Sequence, residues 1–140
     1  MASNIAINPK SMASPLGHYS QAVRTEGHGC WLHISGQVGI QPDGALAQGV
    51  AGQTEAVWKN ITTLLHEAGM GIADLCKVVT YVTDPAALKP VSEIRAVYLE
   101  NHRPASTVLV VQALARPDWL IEVEAIAFRG DATVPALSRS

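Results

Sequence analysis

Two carboxylates stand two positions apart, at Glu122 and Glu124, in an otherwise apolar run near the end of the chain. Successive side chains of a β-strand point to opposite faces, so residues two apart share a face. If this run is a strand, both carboxylates lie on one face, where burying either without a partner is unfavourable. They lie at a partly exposed edge, or pair with Arg103 or Arg116, or line a pocket in which a carboxylate moves protons.

Small polar residues form two further groups, each beside the end of a predicted strand. The first is the segment 17–21, GHYSQ, and the second is the segment 35–37, SGQ. Glycine lets a backbone approach a ligand closely, and a Tyr or Ser hydroxyl can orient that ligand. The same residue types are common in ordinary turns, so the pattern alone leaves both interpretations open.

Other kinds of catalytic centre lack the residues that they require. His28, Cys30 and His33 resemble a metal-binding triplet, but strand alternation places His33 on the opposite face from Cys30. The sequence contains neither the Gly-x-Ser-x-Gly turn of serine hydrolases nor a glycine-rich phosphate loop. We therefore expect neither a metal nor a cofactor.

The charge balance argues against nucleic acid as a partner. The chain has 10 Lys and Arg against 12 Asp and Glu, and the basic residues are scattered, whereas nucleic-acid-binding proteins concentrate positive charge on one face. It has no long apolar run and no basic-then-apolar N-terminus, so we expect no membrane span and no signal peptide. Cys30 and Cys76 have no metal spacing and are typical of reduced thiols, which predicts a cytoplasmic protein.

The length of 140 residues is typical of one domain, which we assign to residues 1–130, followed by a mobile tail at 131–140. Charged residues make up 16% of the chain, against roughly 25% in an average globular protein. Either the core is rich in Ala and Val, or part of the apolar surface is covered by another subunit.

The spacing of apolar residues predicts two helices among several strands, in the order ββαβαββ after at most a short first strand. A period of three to four residues defines the helices, and Pro90 must lie in the first turn of the second one, because its ring would break the helix further on. The predicted strands are residues 5–7, 20–24, 30–35, 75–83, 106–114 and 119–128, and the predicted helices are residues 50–68 and a segment within 85–101.

Each predicted helix has one apolar face, and Thr54 falls on the polar side of the first. Strands on either side of two amphipathic helices predict an α+β sheet with both helices on one face. The turn-forming segment 115–118, ARPD, predicts a hairpin between the last two strands. The other face of the sheet then needs a cover from another subunit. The predicted buried positions are Val57, Ile61, Leu64, Leu65 and Ala68 in the first helix and Ile94, Val97 and Tyr98 in the second.

These segments together resemble the Rid (reactive intermediate deaminase, YjgF-like) family, in order and with matching gaps, from about residue 15 to 128. Residues 17–23, GHYSQAV, resemble the family's Gly-Pro-Tyr-Ser-Gln-Ala-Val, and residues 35–38, SGQV, resemble its Ser-Gly-Gln-Ile. The match is completed by the first helix, with Gln53, Asn60, Leu64 and Ala68-Gly69, and by KVVTYV at 77–82, PA at 104–105 and IEVEAIA at 121–127.

The resemblance implies a chorismate-mutase-like fold, in which a mixed β-sheet carries two helices on one face. It implies a homotrimer whose three sheets form an inner barrel, with small-molecule clefts between neighbouring subunits. Characterised members hydrolyse reactive 2-enamines and 2-imines to 2-keto acids and ammonia, without metal or cofactor. By the same resemblance Glu122 holds and deprotonates the attacking water, and Tyr19, Ser35 and Gly36 line the cleft.

One position departs from the pattern of the deaminases. Their motif is Pro-Ala-Arg-Ser, and its Arg binds the substrate carboxylate with two parallel hydrogen bonds, whereas Ser106 occupies that position here. A 2-imino acid is then expected to bind poorly unless another cation substitutes. His18 replaces the family's proline beside the cleft and either receives an anion or a proton or is a solvent-facing turn residue. Val108 replaces a cysteine that many deaminases carry.

Two functions fit these residues. The first is a Rid-type deaminase that acts on an enamine, an imine or a related small amine, with Glu122 as the base. The second is a non-catalytic trimer that binds a small metabolite in its clefts or acts through protein contacts, including holdase-like activity. The retained Glu122, Tyr19 and Ser35-Gly36 favour the first function, and the missing arginine favours the second.

Overall fold

The computed structural model describes residues 3–131, so the predicted tail lies outside the described residues except for Asp131. The predicted order of elements is confirmed, with a short first strand added. The strands are β1 (Asn4–Ile7), β2 (Ala22–Thr25), β3 (Gly29–Val38), β4 (Leu75–Val82), β5 (Ala105–Val110) and β6 (Ile121–Gly130), and the helices are α1 (Gly49–Glu67) and α2 (Leu88–Leu99).

The main sheet has the strand order β3-β6-β4-β5. β6 pairs antiparallel with both β3 and β4, while β4 and β5 are parallel. The predicted hairpin between the last two strands is therefore wrong. α2 connects β4 to β5 as a crossover, which places β5 beside β4 at the edge of the sheet. The segment between β5 and β6 then crosses to the other side of β4, where β6 completes the centre of the sheet.

β1 and β2 form a separate two-stranded antiparallel sheet. The side chain of Asn4 attaches it to the main body, because its Nδ2 donates to the carbonyl of Phe128 at 2.9 Å. Its Oδ1 accepts a hydrogen bond from Thr25 Oγ1 at 2.9 Å. This small sheet continues into the segment 17–21, which runs alongside the beginning of β5.

Helix α1 packs on β3 and β6 and supplies much of the core. Its end follows the expected pattern, since Gly69 just after the helix has a positive φ of 72°. The predicted side of Thr54 is wrong: it is fully buried, and its hydroxyl bonds to the carbonyl of Val50 one turn earlier. Leu64, which was predicted to be buried, is 39% exposed. The buried face of α1 is therefore rotated relative to the predicted one, so that it includes Thr54 and leaves Leu64 partly exposed.

Helix α2 begins after a short 3-10 turn at Pro85–Ala87, and Pro90 lies in its first turn as predicted. The prediction for Val97 is wrong, since this side chain is 74% exposed. The buried residues of α2 lie one turn apart instead, at Val91, Arg95 and Leu99. Arg95 thus occupies a core position, although the apolar pattern predicted that a different face of α2 is buried.

Both helices cover the same face of the main sheet, which confirms the predicted α+β architecture with a mixed sheet. On β4 and β6 the buried side chains alternate with partly exposed ones. The side away from the helices, which we call the open face, carries Glu122, Glu124 and Tyr81. It contains a depression of about 250 Å³ whose lining includes His33, Lys77, Val79, Glu124 and Ile126.

The position of Thr54 yields a first prediction. Thr54→Lys places a charge in the core and is expected to lower the free energy of unfolding by about 3 kcal/mol or more. Leu64→Lys, three turns along the same helix, is expected to change it by less than about 1 kcal/mol. Urea unfolding followed by circular dichroism measures both, and equal effects of the two substitutions would contradict the observed rotation of α1.

Candidate functional site

The carboxylate of Glu122 lies against the backbone of Gly36. Glu122 is the second residue of β6, half-buried, and pairs with Val38 on β3 and Tyr81 on β4. A Cβ atom added to Gly36 would overlap Glu122 Oε2 and lie 2.8 Å from its Cδ. Only glycine leaves room for the carboxylate in this position. The structure therefore brings together two of the predicted site residues from opposite ends of the chain.

A β-bulge in β3 shapes this contact. Ile34 pairs with Ala125 and Gln37 pairs with Val123, so Ser35 and Gly36 together oppose a single residue of β6. A bulge bends its strand and redirects the side chains beside it. Ser35 is exposed next to Gly36 and lies with it at the same end of the sheet as Glu122. The segment 35–37 is therefore a strand irregularity that receives a carboxylate, and not an ordinary turn.

The interpretation of Glu122 and Glu124 as edge residues is wrong, because β6 lies between two other strands. The two arginines proposed as partners interact elsewhere. Arg103 Nη1 donates to the carbonyl of Gly17 at 3.1 Å, and the guanidinium of Arg116 lies over the ring of Trp119. Within residues 3–131, the ion pairs join Arg24 to Glu26 and Arg129 to Asp74, and neither involves β6 carboxylates.

Tyr81 faces both carboxylates from the neighbouring strand. Burial raises the pKa of Tyr81, and the negative charge of Glu124 together with a hydrogen bond to it raises the pKa further, with a smaller effect from Glu122. The phenol therefore stays protonated beside the carboxylates at neutral pH. The open face thus presents a neutral hydroxyl and two carboxylates to whatever approaches it.

His18, Tyr19 and Ser20 lie along the beginning of β5. The amide of Ser20 donates to the carbonyl of Pro104 at 3.0 Å, and Ser20 forms an isolated parallel bridge with Ala105. His18 Nε2 lies 2.9 Å from the carbonyl of His102, so it must carry a proton and donate. His18 is half-buried, and this bond fixes one of its two ring nitrogens.

Tyr19 belongs to the same segment, and its hydroxyl accepts a hydrogen bond from the amide of Leu16 at 3.2 Å. Ser106 follows directly after the residues that hold this segment, as the second residue of β5. His18, Tyr19 and Ser106 therefore form a second group of the predicted site residues, at the edge of the sheet.

A single chain does not join the two groups. Ser106 pairs with Val78, whose side chain is in the core, so Ser106 points toward the helices, whereas Glu122 pairs with Tyr81 on the open face. Three residues of β4 separate the two levels, about 10 Å, and the two strands are themselves two positions apart in the sheet. The two groups of predicted site residues therefore lie apart within the chain.

Sequence reasoning overlooked Arg95. This residue is 6% exposed, and its Nε and Nη1 are buried without a hydrogen-bond partner among the described residues. Burial lowers the pKa of Arg95. The signal was present in the sequence, because Val91, Arg95 and Leu99 are spaced four apart and so share one helix face. An arginine in the middle of an apolar stripe indicates either an unusual core residue or a ligand site.

Neither a metal site nor a membrane-spanning helix is found in the part of the chain that the structure describes. Between residues 3 and 131 there is no group of three or more His, Cys, Asp or Glu side chains placed to hold a metal ion. None of the helices in this range is both long and apolar enough to cross a bilayer. Cys30 and Cys76 are free thiols.

Comparison with known proteins places this chain in a family. The model of the family described as Endoribonuclease L-PSP matches residues 10–129. A RutC family protein of Pyrococcus horikoshii is 37% identical over 117 residues, which cover 82% of this chain and 90% of that protein. The chloroplastic Reactive Intermediate Deaminase A of Arabidopsis thaliana is 31% identical over 123 residues, covering 86% of this chain and 64% of that protein.

A solved structure agrees with these sequence matches. It is a protein of unknown function of the conserved Rid protein family, YyfB from Yersinia pestis. This chain superimposes on it with a TM-score of 0.82 and 36% identity, covering 91% of this chain and all of the other.

The contact between Gly36 and Glu122 yields a second prediction. Gly36→Ala is expected to lower the free energy of unfolding by only about 1 kcal/mol, because the end of a flexible side chain can rotate away. Gly39→Ala is the matched control, since its Cβ would lie 2.8 Å from the Cα of Gln53 in α1, and it is expected to cost about 3 kcal/mol. Denaturant unfolding measures both values. A crystal structure of Gly36→Ala with the carboxylate of Glu122 unmoved would contradict the geometry.

Proposed function

Because the chain belongs to the Rid (YjgF-like) family, we propose that it is a cytoplasmic deaminase that hydrolyses a reactive enamine or imine to a carbonyl compound and ammonia. The observation that carries this proposal is the carboxylate of Glu122, held over Gly36 on a face of the sheet that the chain itself leaves open. The plant relative that bears the name of a reactive intermediate deaminase supports it. No metal or cofactor enters the reaction that we propose.

The chemistry needs one group that first takes a proton and then returns it. The enamine tautomerises to an imine, and water adds to the carbon of the C=N bond while Glu122 takes a proton from that water and the nitrogen takes a proton from the solvent. The resulting carbinolamine releases its hydroxyl proton to the solvent, its C–N bond breaks as the C=O bond forms, and the protonated carboxyl supplies the proton with which ammonia leaves. A positioned base of this kind contributes typically about 10²–10⁴-fold in rate.

The same geometry supports a site between subunits. Glu122, Ser35 and Gly36 lie on the open face, and His18, Tyr19 and Ser106 lie at the sheet edge around β5. If the open face of one protomer meets the β5 edge of the next, each contact completes one site. A contact between two different surfaces closes into a ring when the rotation allows it, and the family resemblance implies a ring of three. We therefore propose a homotrimer with three inter-subunit clefts for a small-molecule substrate.

The family model is described as an endoribonuclease, but the charge of this chain does not favour RNA as its substrate. A protein that binds RNA through its phosphates needs a cluster of positive charge, whereas this chain has a net charge of −2 with its basic residues scattered. We therefore do not propose nucleic acid as a substrate.

A second candidate function rests on Ser106. Its Oγ is buried and lacks a hydrogen-bond partner within residues 3–131, at the position where the resemblance implies a substrate-binding arginine. Such a cleft fits a trimer that binds a metabolite without reaction, or one that acts as a holdase through protein contacts. Binding of small amines without any turnover by the wild type would favour this function over the first.

The third prediction concerns the base. Glu122→Gln keeps the shape of the side chain but removes its basicity, so kcat is expected to fall by about 10²–10⁴-fold. Glu124→Gln is the matched control on the same strand and face, and it is expected to retain kcat within about threefold. The assay measures ammonia release from 2-aminoacrylate or 2-iminobutyrate generated in situ, with the spontaneous hydrolysis subtracted. Full activity in Glu122→Gln would show that another group is the base.

The fourth prediction concerns the shared cleft. Tyr19→Ala and Glu122→Gln are each expected to be inactive, because each removes a different half of every site. If the halves come from neighbouring chains, hetero-oligomers formed by refolding the two variants together contain intact clefts. With random assembly, roughly one quarter of the clefts receive both native residues, so about that fraction of wild-type activity returns. The activity of the mixture is measured after gel filtration of the assembled species.

A site made by one chain predicts the opposite result. Each chain in the mixture then carries a defect, and no activity returns on co-assembly. Gel filtration of the wild type at the mass of one chain would also contradict the proposal, because the two halves of the cleft would then never meet.

A further inference from the structure

Four side chains form a square in the depression on the open face. Lys77 on β4 pairs with Ile126 on β6, and Val79, two residues along β4, pairs with Glu124. All four line the depression of about 250 Å³. The two charged residues therefore lie on one diagonal of the square and the two apolar residues on the other. A cation and an anion thus face the same small space, with apolar surface beside them.

The two charges do not neutralise each other. Neither of the ion pairs found within residues 3–131 includes Lys77 or Glu124, and side chains at diagonal positions of two antiparallel strands are about 7–8 Å apart. Lys77 Nζ donates to Thr107 Oγ1 at 3.1 Å, and the carboxylate of Glu124 accepts a hydrogen bond from Tyr81. Each charge is thus held by a neutral hydroxyl group. The ammonium retains further donors, and the carboxylate retains further acceptor positions.

This arrangement favours a ligand that carries both charges. A simple anion that approaches Lys77 is repelled by Glu124, and a simple cation that approaches Glu124 is repelled by Lys77. An α-amino acid carries its ammonium and carboxylate groups on one carbon, so it can bridge a short gap between opposite charges. Its carboxylate can then bind the lysine and its ammonium the glutamate, while a short apolar side chain lies on Val79 and Ile126.

The depression is separate from the proposed catalytic base. Glu122 does not line it, and Tyr81, the partner of Glu122, lies four residues after Lys77, about 13 Å along β4. The side of the depression on β3 is formed by His33. The ring of His33 stacks on Trp31 with the ring centroids 6.3 Å apart, which supports this wall. Binding in the depression is therefore a property distinct from the hydrolysis proposed above.

We propose that the depression binds a small α-amino acid as a zwitterion, with Lys77 as the partner of its carboxylate and Glu124 as the partner of its ammonium group. The ligand is held by its two charges and undergoes no reaction there. This inference does not depend on the proposed deaminase activity.

The first experiment compares three ligands of similar size by calorimetry on the assembled protein. L-2-aminobutyrate carries both charges, butyrate carries only the carboxylate, and propylamine carries only the ammonium group. Wild type is expected to bind L-2-aminobutyrate at least about tenfold more tightly than either of the others, because only the zwitterion satisfies both residues. Equal affinity for all three ligands, or no binding of L-2-aminobutyrate, would overturn the inference.

Two single variants each remove one charge. Lys77→Met, which keeps the length of the side chain, is expected to weaken L-2-aminobutyrate binding at least about tenfold without weakening propylamine binding. Glu124→Gln is expected to weaken L-2-aminobutyrate binding to a similar extent without weakening butyrate binding. Weaker binding of all three ligands in either variant would indicate a general disruption of this face and reject the assignment.

An exchange of the two charges separates recognition from structural damage. Lys77→Glu alone places two carboxylates in the depression and is expected to abolish L-2-aminobutyrate binding. When Glu124→Lys is added, one cation and one anion again lie on the same diagonal, so the double variant is expected to regain most of the affinity with the ligand reversed. A double variant that has the circular dichroism spectrum of the wild type but does not bind would argue against a zwitterion site.

Two controls test other locations for the ligand and other roles for the lysine. Glu122→Gln should leave L-2-aminobutyrate binding unchanged, and a loss of binding would place the ligand in the proposed catalytic cleft instead. Gel filtration of Lys77→Met should show the same assembly as the wild type. Dissociation would show that Lys77 pairs with a carboxylate of a neighbouring subunit, which excludes the ligand site. Because ammonia release is measured separately, either proposal can fail without the other.

Discussion

The structure depends on one constraint: a central strand that carries carboxylates must keep one of its faces open. β6 lies between β3 and β4, with Val123 and Ala125 in the core and Glu122 and Glu124 on the other side. If the helices covered the carboxylates, the cost of desolvation would exceed what the packing returns. Both helices therefore occupy the apolar face, and the charged face is left for water, ligand or another subunit.

Local patterns were enough to predict the elements but not their pairing. Two confirmed predictions depend on a few neighbouring residues only. They are the alternating burial from Ile121 to Ala127 and the position of Pro90 in the first turn of α2. The hairpin between β5 and β6 failed because strand pairing depends on contacts far apart in the sequence. Thr54 and Val97 failed for a related reason. A helix face is set by how closely side chains fit the sheet, and a Thr that bonds to its own backbone can be buried as easily as a Val.

The residues of the candidate site could be proposed from the sequence, but their geometry could not. The resemblance pointed to Glu122, Ser35 and Gly36, and the structure places these near one another. What the sequence could not show is the bulge that opposes two residues to one, because a bulge is a property of two paired strands. It also could not show that Ser106 faces away from Glu122, since that follows from the register between β4 and β5. The separation of the predicted site residues into two groups appears only once the sheet is assembled.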